Sequence, residues 1–219
     1  MERTPLAGLD ERVRARLLER ARRRTFGRGE VVLHAGDPAN ALHLLVSGHV
    51  SVGVSTPAGD TAVLAVLGPG SIFGELALLS PREERSATVA ALEGAVTLSV
   101  AREHLSALRR DNPEVDALLL GLLADYVHRL DARLLEALYV PADRRVLRRL
   151  LALSRQYGDG SAGTTVPLTQ DVLASMAGTT RPTANQALRA AQHEGLVTIE
   201  RGRVRVDDPA GLARRARWR

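Results

Sequence analysis

The chain has no cysteine and no lysine in 219 residues. Without cysteine there are no disulfides, thiolate metal sites, iron–sulfur clusters or cysteine nucleophiles. Aromatic residues make up only 3%, so a core has to be built from Leu, Val and Ala. No run of eighteen apolar residues occurs, so no transmembrane helix is expected. The opening stretch MERTPLAGLDERVRARLLERARRR has no apolar run after its charges and does not read as a signal peptide. A cytoplasmic protein is expected. His34, His43, His49, His104, His128 and His193 are scattered without paired ligand spacing, so neither a metal nor a haem is expected. A nucleophile elbow and a P-loop Gly-Lys pair are also missing, and no enzyme is expected.

Charge is unevenly spread. Residues 1–140 hold 16 Arg against 18 acids, a net of −2, and residues 141–219 hold 14 Arg against 7 acids, a net of +7. A near-neutral part joined to a strongly basic part points to a polyanion partner for the second, unless the arginines only solvate a face.

The pattern along the chain divides it further. Leu9, Val13 and Leu17 stand at helical spacing within a candidate helix over 6–24, with Asp10 and Glu11 near its start and Arg22 to Arg24 at its end. From Phe26 to Val100, short apolar runs alternate with glycine turns. The runs are Glu30–Leu33, Ala41–Val46, His49–Val54, Thr61–Leu67, Ala87–Leu92 and Ala95–Val100, and one turn is Pro57–Ala58–Gly59–Asp60. Such spacing suggests an all-β barrel or jelly roll. Asn112–Pro113 then opens a helix reaching about Val140. It carries a seam of Leu120, Leu123, Val127, Leu130, Leu134 and Ala137, and a second stripe of Val115, Leu119, Leu122 and Tyr126. Two apolar faces suit packing on the roll and on a second copy of the chain. The expected architecture is α+β, with a roll over 1–113, a dimerisation helix over 114–140 and a basic domain over 141–219.

In the basic domain, Val146–Ser154 reads as a helix with Arg144, Arg145, Arg148 and Arg149 on one face. Two short helices follow, Gln170–Ala177 and Arg181–His193, joined by Gly178–Thr179–Thr180. That is helix-turn-helix geometry. Thr169 and Thr180 are placed to cap the two helices, Gly178 to end the first, and Pro182 to sit in the first turn of the second. Leu173, Met176 and Ala177, then Ala184, Ala187, Leu188 and Ala191, form the inward stripes. Arg181, Asn185, Gln186 and Arg189 form the outward one, and their donors suit guanine and adenine edges in the major groove. Leu196–Glu200 and Arg203–Val206 around Arg201–Gly202 read as a hairpin, a wing whose Arg201, Arg203 and Arg205 can reach phosphates. A helical hairpin with polar faces is the plainer alternative.

One further segment carries chemistry: Phe73-Gly74-Glu75-Leu76-Ala77-Leu78, then Arg85-Ser86-Ala87-Thr88. It offers a glycine for close approach, a helix start for an anion, an acid for ribose hydroxyls and an Arg for phosphate. This run resembles the phosphate-binding cassette of cyclic-nucleotide-binding domains. With the helix-turn-helix, residues from about 10 to 210 resemble the Crp/Fnr family of bacterial transcription regulators. The resemblance implies a ribose and phosphate site from Gly74, Glu75, Leu76 and Ala77, with Arg85 and Ser86 on the cyclic phosphate. Counting forward places Leu130 and Asp131 at the base, where cAMP-responsive members carry Thr followed by Ser or Asn, with Tyr126 and Arg133 nearby. It also implies a DNA face from Thr169, Gln170, Thr180, Arg181, Pro182, Thr183, Asn185, Gln186, Arg189, Arg201 and Arg203. Pro182 stands where many members carry Glu. The effector the resemblance implies is cAMP or another cyclic nucleotide, and the partners it implies are a dyad-symmetric operator, a second copy and RNA polymerase. A nucleotide-binding subunit that controls a protein partner is the rival, and so is the same fold acting with another ligand or with none.

Overall fold

The computed structural model describes residues 5–55, 61–79 and 84–217. The chain forms two compact units, Met1–Val54 with Ala65–Arg129 and Ser55–Leu64 with Leu130–Arg219. Among the described residues no helix is long and apolar enough to cross a membrane. The turn expected at Pro57–Ala58–Gly59–Asp60 lies outside the described residues.

The first unit opens with a 3-10 turn at Pro5–Gly8 and helix α1, Glu11–Glu19, capped by the Asp10 carboxylate on the Arg12 amide. Leu9, Val13 and Leu17 are buried as their spacing predicts. The helix does not run on to Arg24. Residues Arg22–Phe26 form strand β1, held by antiparallel pairing to Ala95–Ala101. An arginine run has no strand propensity of its own, so here the ladder overrides local preference. The roll continues through β2 (Val31–Leu33), β3 (Ala41–Ser47), β4 (Val50–Ser55), β5 (Thr61–Leu67), β6 (Ile72–Phe73), the short helix α2 (Glu75–Leu79), β7 (Thr88–Ala91) and β8 (Ala95–Ala101). One sheet has the order β1-β8-β3-β6 and the other β2-β7-β4-β5. Phe26, Leu45, Phe73 and Ala95 from the first meet Val32, Val50, Val89 and Ala91 from the second in one aliphatic-rich core. Gly48 turns β3 into β4 at φ +79°, and a Cβ there would sit 2.3 Å from the Gly94 carbonyl, so only glycine fits.

Two helices follow, α3 (Arg102–Asp111), which the periodicity did not reveal, and α4 (Pro113–Tyr139). Val115 and Leu119 of α4 join Leu105, Leu108, α1 and the outer face of β3 and β8 in a second core. Burying such side chains contributes roughly 1.5–3 kcal/mol each. The other stripe stays outside. Leu120, Val127, Leu130 and Leu134 are exposed, together with Leu138 and Tyr139.

In the second unit α5 (Ala142–Tyr157), α6 (Gln170–Met176), α7 (Arg181–His193) and α8 (Pro209–Arg215) enclose Val146, Leu150, Leu173, Leu188 and Leu212. The hairpin β10 (Val197–Glu200) and β11 (Arg203–Val206) gains a third strand, β9 (Thr164–Val166). The start of β5 also packs here. The Ser175 hydroxyl accepts from the Val63 amide at 2.7 Å and donates to the Thr61 carbonyl at 2.9 Å.

Candidate functional site

In the first unit Gly74 ends β6 at φ +83°, a conformation side chains avoid, and a Cβ there would meet Arg85 Nη1 at 2.8 Å. Arg85 is almost fully buried, 4% exposed. Its Nη1 donates to the Gly74 carbonyl at 3.0 Å, and its Nη2 to the Ala41 carbonyl at 2.7 Å and to Asn40 Oδ1 at 3.5 Å. A guanidinium has five donors, so Nε and one Nη1 hydrogen remain. Burial, then Arg102, lower its pKa, while Asp37 and Glu75 act the other way. Arginine stays cationic under such shifts.

Glu75 begins α2 and is half-buried. Burial holds its carboxyl above the usual range, against its own backbone hydrogen bond and against Arg129 and Arg85. Arg129 is a residue the sequence argument passed over. It lies three positions after Tyr126 on α4, so helical spacing from the expected base-side residue was the available signal. Arg102, also unforeseen, donates to the Ala39 and Ala77 carbonyls at 2.8 and 3.2 Å and so ties α2 to the lead-in of β3. Ala77 is buried, Leu76 half-buried, and Ser86 exposed. At five residues α2 is too short to bring much dipole to an anion. Tyr126 is half-buried on α4, whereas Leu130 and Asp131 are exposed one turn further on. Leu130 groups with the second unit and Tyr126 with the first.

In the second unit the two helices of the turn cross as their sequence dictates. The Thr169 hydroxyl accepts from the Val172 amide at 3.4 Å, and the Thr180 hydroxyl from the Thr183 amide at 3.5 Å. Thr180 and Thr183 also pair through their hydroxyls at 3.0 Å. Gly178 takes φ +59° between the helices. Ala184, Ala187, Leu188 and Ala191 are buried, and Arg181, Pro182, Gln186 and Arg189 are exposed. Arg181 lies 3.5 Å from Asp171, but both side chains stay mostly in solvent, so that pair holds it weakly. Asn185 is different. Its Nδ2 donates to Gln170 Oε1 at 2.7 Å, so the two amides fix one helix against the other. In the wing, Arg203 is bound to Glu200 at 2.5 Å and Arg205 to Asp207 at 2.6 Å, while Arg201 is exposed at the tip.

Arg145, Arg148 and Arg149 of α5 are not a solvated face. Arg145 donates to the carbonyls of Val140 and Ala177 at 2.8 Å each and of Gly178 at 3.1 Å. Arg148 and Arg149 both bind the buried Glu136 carboxylate. These bonds tie the end of α4 to the helix-turn-helix.

Comparison with known proteins agrees with this geometry. The family model of the cyclic nucleotide-binding domain matches residues 23–112, and that of the Crp-like helix-turn-helix domain matches residues 144–215. The chain is similar to the CRP-like cAMP-activated global transcriptional regulator of Mycobacterium tuberculosis, 33% identical over 88% of this chain and 87% of that one. It is also similar to the cyclic AMP receptor protein of Thermus thermophilus, 36% identical over 87% of this chain and 86% of that one. Among solved structures, the c-di-GMP responsive global regulator CLP of Xanthomonas campestris shares the fold. Its TM-score is 0.78 at 22% identity, covering 90% of this chain and 99% of that one.

Proposed function

Since the chain belongs to the Crp/Fnr family of bacterial transcription regulators and is an effector-controlled DNA-binding regulator, we propose that its effector is a cyclic nucleotide held by the Gly74–Ala77 and Arg85–Ser86 cassette. The observation that carries this reading is Arg85. It is buried against Gly74 with two donors unspent, and only a glycine lets the guanidinium lie this close to the backbone. Arg85 would bind the cyclic phosphate, Ser86 would add a hydroxyl, and Glu75 would accept from the ribose. Tyr126, Leu130 and Asp131 would face the base. None of the three supplies the Thr followed by Ser or Asn of cAMP-responsive relatives, so the phosphate carries most of the affinity.

DNA is read by α7, with Arg181, Gln186 and Arg189 at base edges, and Thr169, Thr180, Thr183, Gln170 and Arg201 on the backbone or behind it. Asn185 and Arg203 hold the reading elements in shape. Two chains pair along Leu120, Val127, Leu130 and Leu134, which are exposed in the single chain. The pair addresses a dyad-symmetric operator with half-sites about 34 Å apart, and RNA polymerase is the further partner. Effector binding shifts a two-state equilibrium at the end of α4. Arg145 carries the shift onward, because it grips Val140 on one side and the turn at Ala177 and Gly178 on the other.

Calorimetric titration with cAMP, cGMP and cyclic di-GMP tests the effector. One of them binds, and Arg85→Ala abolishes it; if none binds, the cassette reading falls. Duplex affinity should rise with that ligand and fall steeply with salt. A protein that binds no duplex at low salt belongs to the rival class that controls a protein partner. Leu134→Asp should give monomers in sedimentation and lose operator binding.

A further inference from the structure

Strand β1 carries Arg22, Arg23 and Arg24 in succession. Its register sets Arg22 opposite Ser99, Arg24 opposite Thr97 and Phe26 opposite Ala95. Opposite residues share a face of the sheet. Phe26, Thr97 and Ala95 are buried, so Arg22 and Arg24 continue that inner row towards the open end of the roll. There a cleft of about 930 Å³ opens, lined by Arg22, Arg24, His43, Ser99, Arg85 and Asp37 among others. The volume suits a small-molecule ligand.

Its charge is one-sided. Five arginines line it, the three of β1 with Arg20 and Arg85, against the carboxylates of Asp37 and Glu103. Among the described residues Arg20, Arg22 and Arg23 make no ion pair, and Arg24 only lies over the Phe26 ring, 5.2 Å from its centroid. Unpaired cations around a concavity focus positive potential in it. His43 on the same wall has its pKa lowered to about 4 chiefly by burial, with Arg85 and Arg24 acting in the same direction. Charges on an edge strand also deter pairing between molecules. That purpose is met by any charge along β1 and does not call for inner-face cations around a cleft. Gly74, Glu75 and Ser86 do not line the cleft, nor does any Phe, Tyr or Trp. A ligand here is therefore recognised chiefly by its negative charge.

We propose that this cleft is a second anion site, separate from the cassette, which takes a small polyphosphate. Arg22 and Arg24 grip its oxygens from one wall, while Arg85 at the back keeps its free donors for the cassette. The test is calorimetric titration of the full-length protein with inorganic tripolyphosphate at low salt. We expect binding that weakens about tenfold or more in the Arg22→Gln/Arg24→Gln double variant. The Arg12→Gln/Arg28→Gln pair loses the same charge at exposed positions outside the cleft and should bind as the parent does. Cyclic nucleotide affinity should not change in either. Should the β1 variant fail to fold, hydrogen exchange on the parent decides. Tripolyphosphate should protect the amides of 22–26 and 37–41. No binding, an equal loss in both pairs, no protection of those amides, or strict competition with the cyclic nucleotide overturns the proposal. So does binding of polyglutamate with no binding of tripolyphosphate, which would make the face a docking site for an acidic protein.

Discussion

Arg85 and Arg181 are both cations that the sequence offers to an anion, and the two units treat them in opposite ways. Arg85 is 4% exposed and spends three donors on its own chain. Arg181 keeps about two-thirds of its side chain in water, 68%, and leans on one carboxylate at 3.5 Å. A buried cation has to be satisfied before any ligand arrives, because desolvated charge without partners costs several kcal/mol. Arg85 is therefore part of the roll's stability as well as of the proposed site. An exposed cation is satisfied by water and is free to trade that water for a base. Binding and stability are coupled in the first unit and separable in the second.

The largest effect should come from Arg85→Ala. It strands the Gly74 and Ala41 carbonyls in the interior, and urea denaturation should show a loss of ~3 kcal/mol or more. Cyclic nucleotide binding should vanish with it, whereas Arg85→Lys, a cation without the fork, should recover part of the stability and little of the binding. Unchanged stability in Arg85→Ala would break the comparison.

The next effect is a pH dependence confined to the first unit. His43 is 1% exposed, pairs Nδ1 with Thr97 Oγ1 at 3.2 Å and stacks on Phe73. Its pKa is lowered from 6.5 to about 4, by burial first and then by Arg85 and Arg24. The unfolded chain takes up the proton below about 6.5 and the folded one does not until about 4. The stability of the neutral buried ring is complete above the first value and is lost as pH falls through the second, by ~3 kcal/mol in all. Denaturation curves across this window should show the loss, and His43→Phe should flatten it. A flat parent curve would show that the ring is not held neutral.

The smallest structural effect should be at Arg181. Arg181→Ala should change the midpoint of unfolding by less than ~0.5 kcal/mol. Its duplex affinity should drop by ~1–3 kcal/mol, roughly tenfold to a hundredfold, with relaxed preference at one base of each half-site. Anisotropy with single-base operator variants checks this. An equal loss for every sequence would make Arg181 a phosphate contact.

How far the sequence could be read follows the same division. In the second unit the caps Thr169 and Thr180, the turn at Gly178 and the limits of α7 were all legible, because each depends on contacts within a few residues. In the roll, Thr61–Leu67 was legible from its apolar run. Strand β1 was not, because three arginines follow a helix without a break and only the distant β8 ladder makes them a strand. Strand β9 escaped for a similar reason, since it is stabilised by pairing with β11 some forty residues away. The exposed seam of α4 was readable as a pattern.

The amino-acid sequence alone determined the order of the two functions along the chain, the charge that separates them and the residue types its motifs present at each. Those are matters of composition, spacing and local capping. Only the tertiary structure decided how each residue is used. It showed that Arg85 is wired to Gly74 and Ala41, and that Asn185 is spent on Gln170. It also showed that Arg145 is bound to the Val140 and Ala177 carbonyls rather than being only a solvated charge. A side chain's partners lie across the fold, and burial sets which of its donors remain for a ligand.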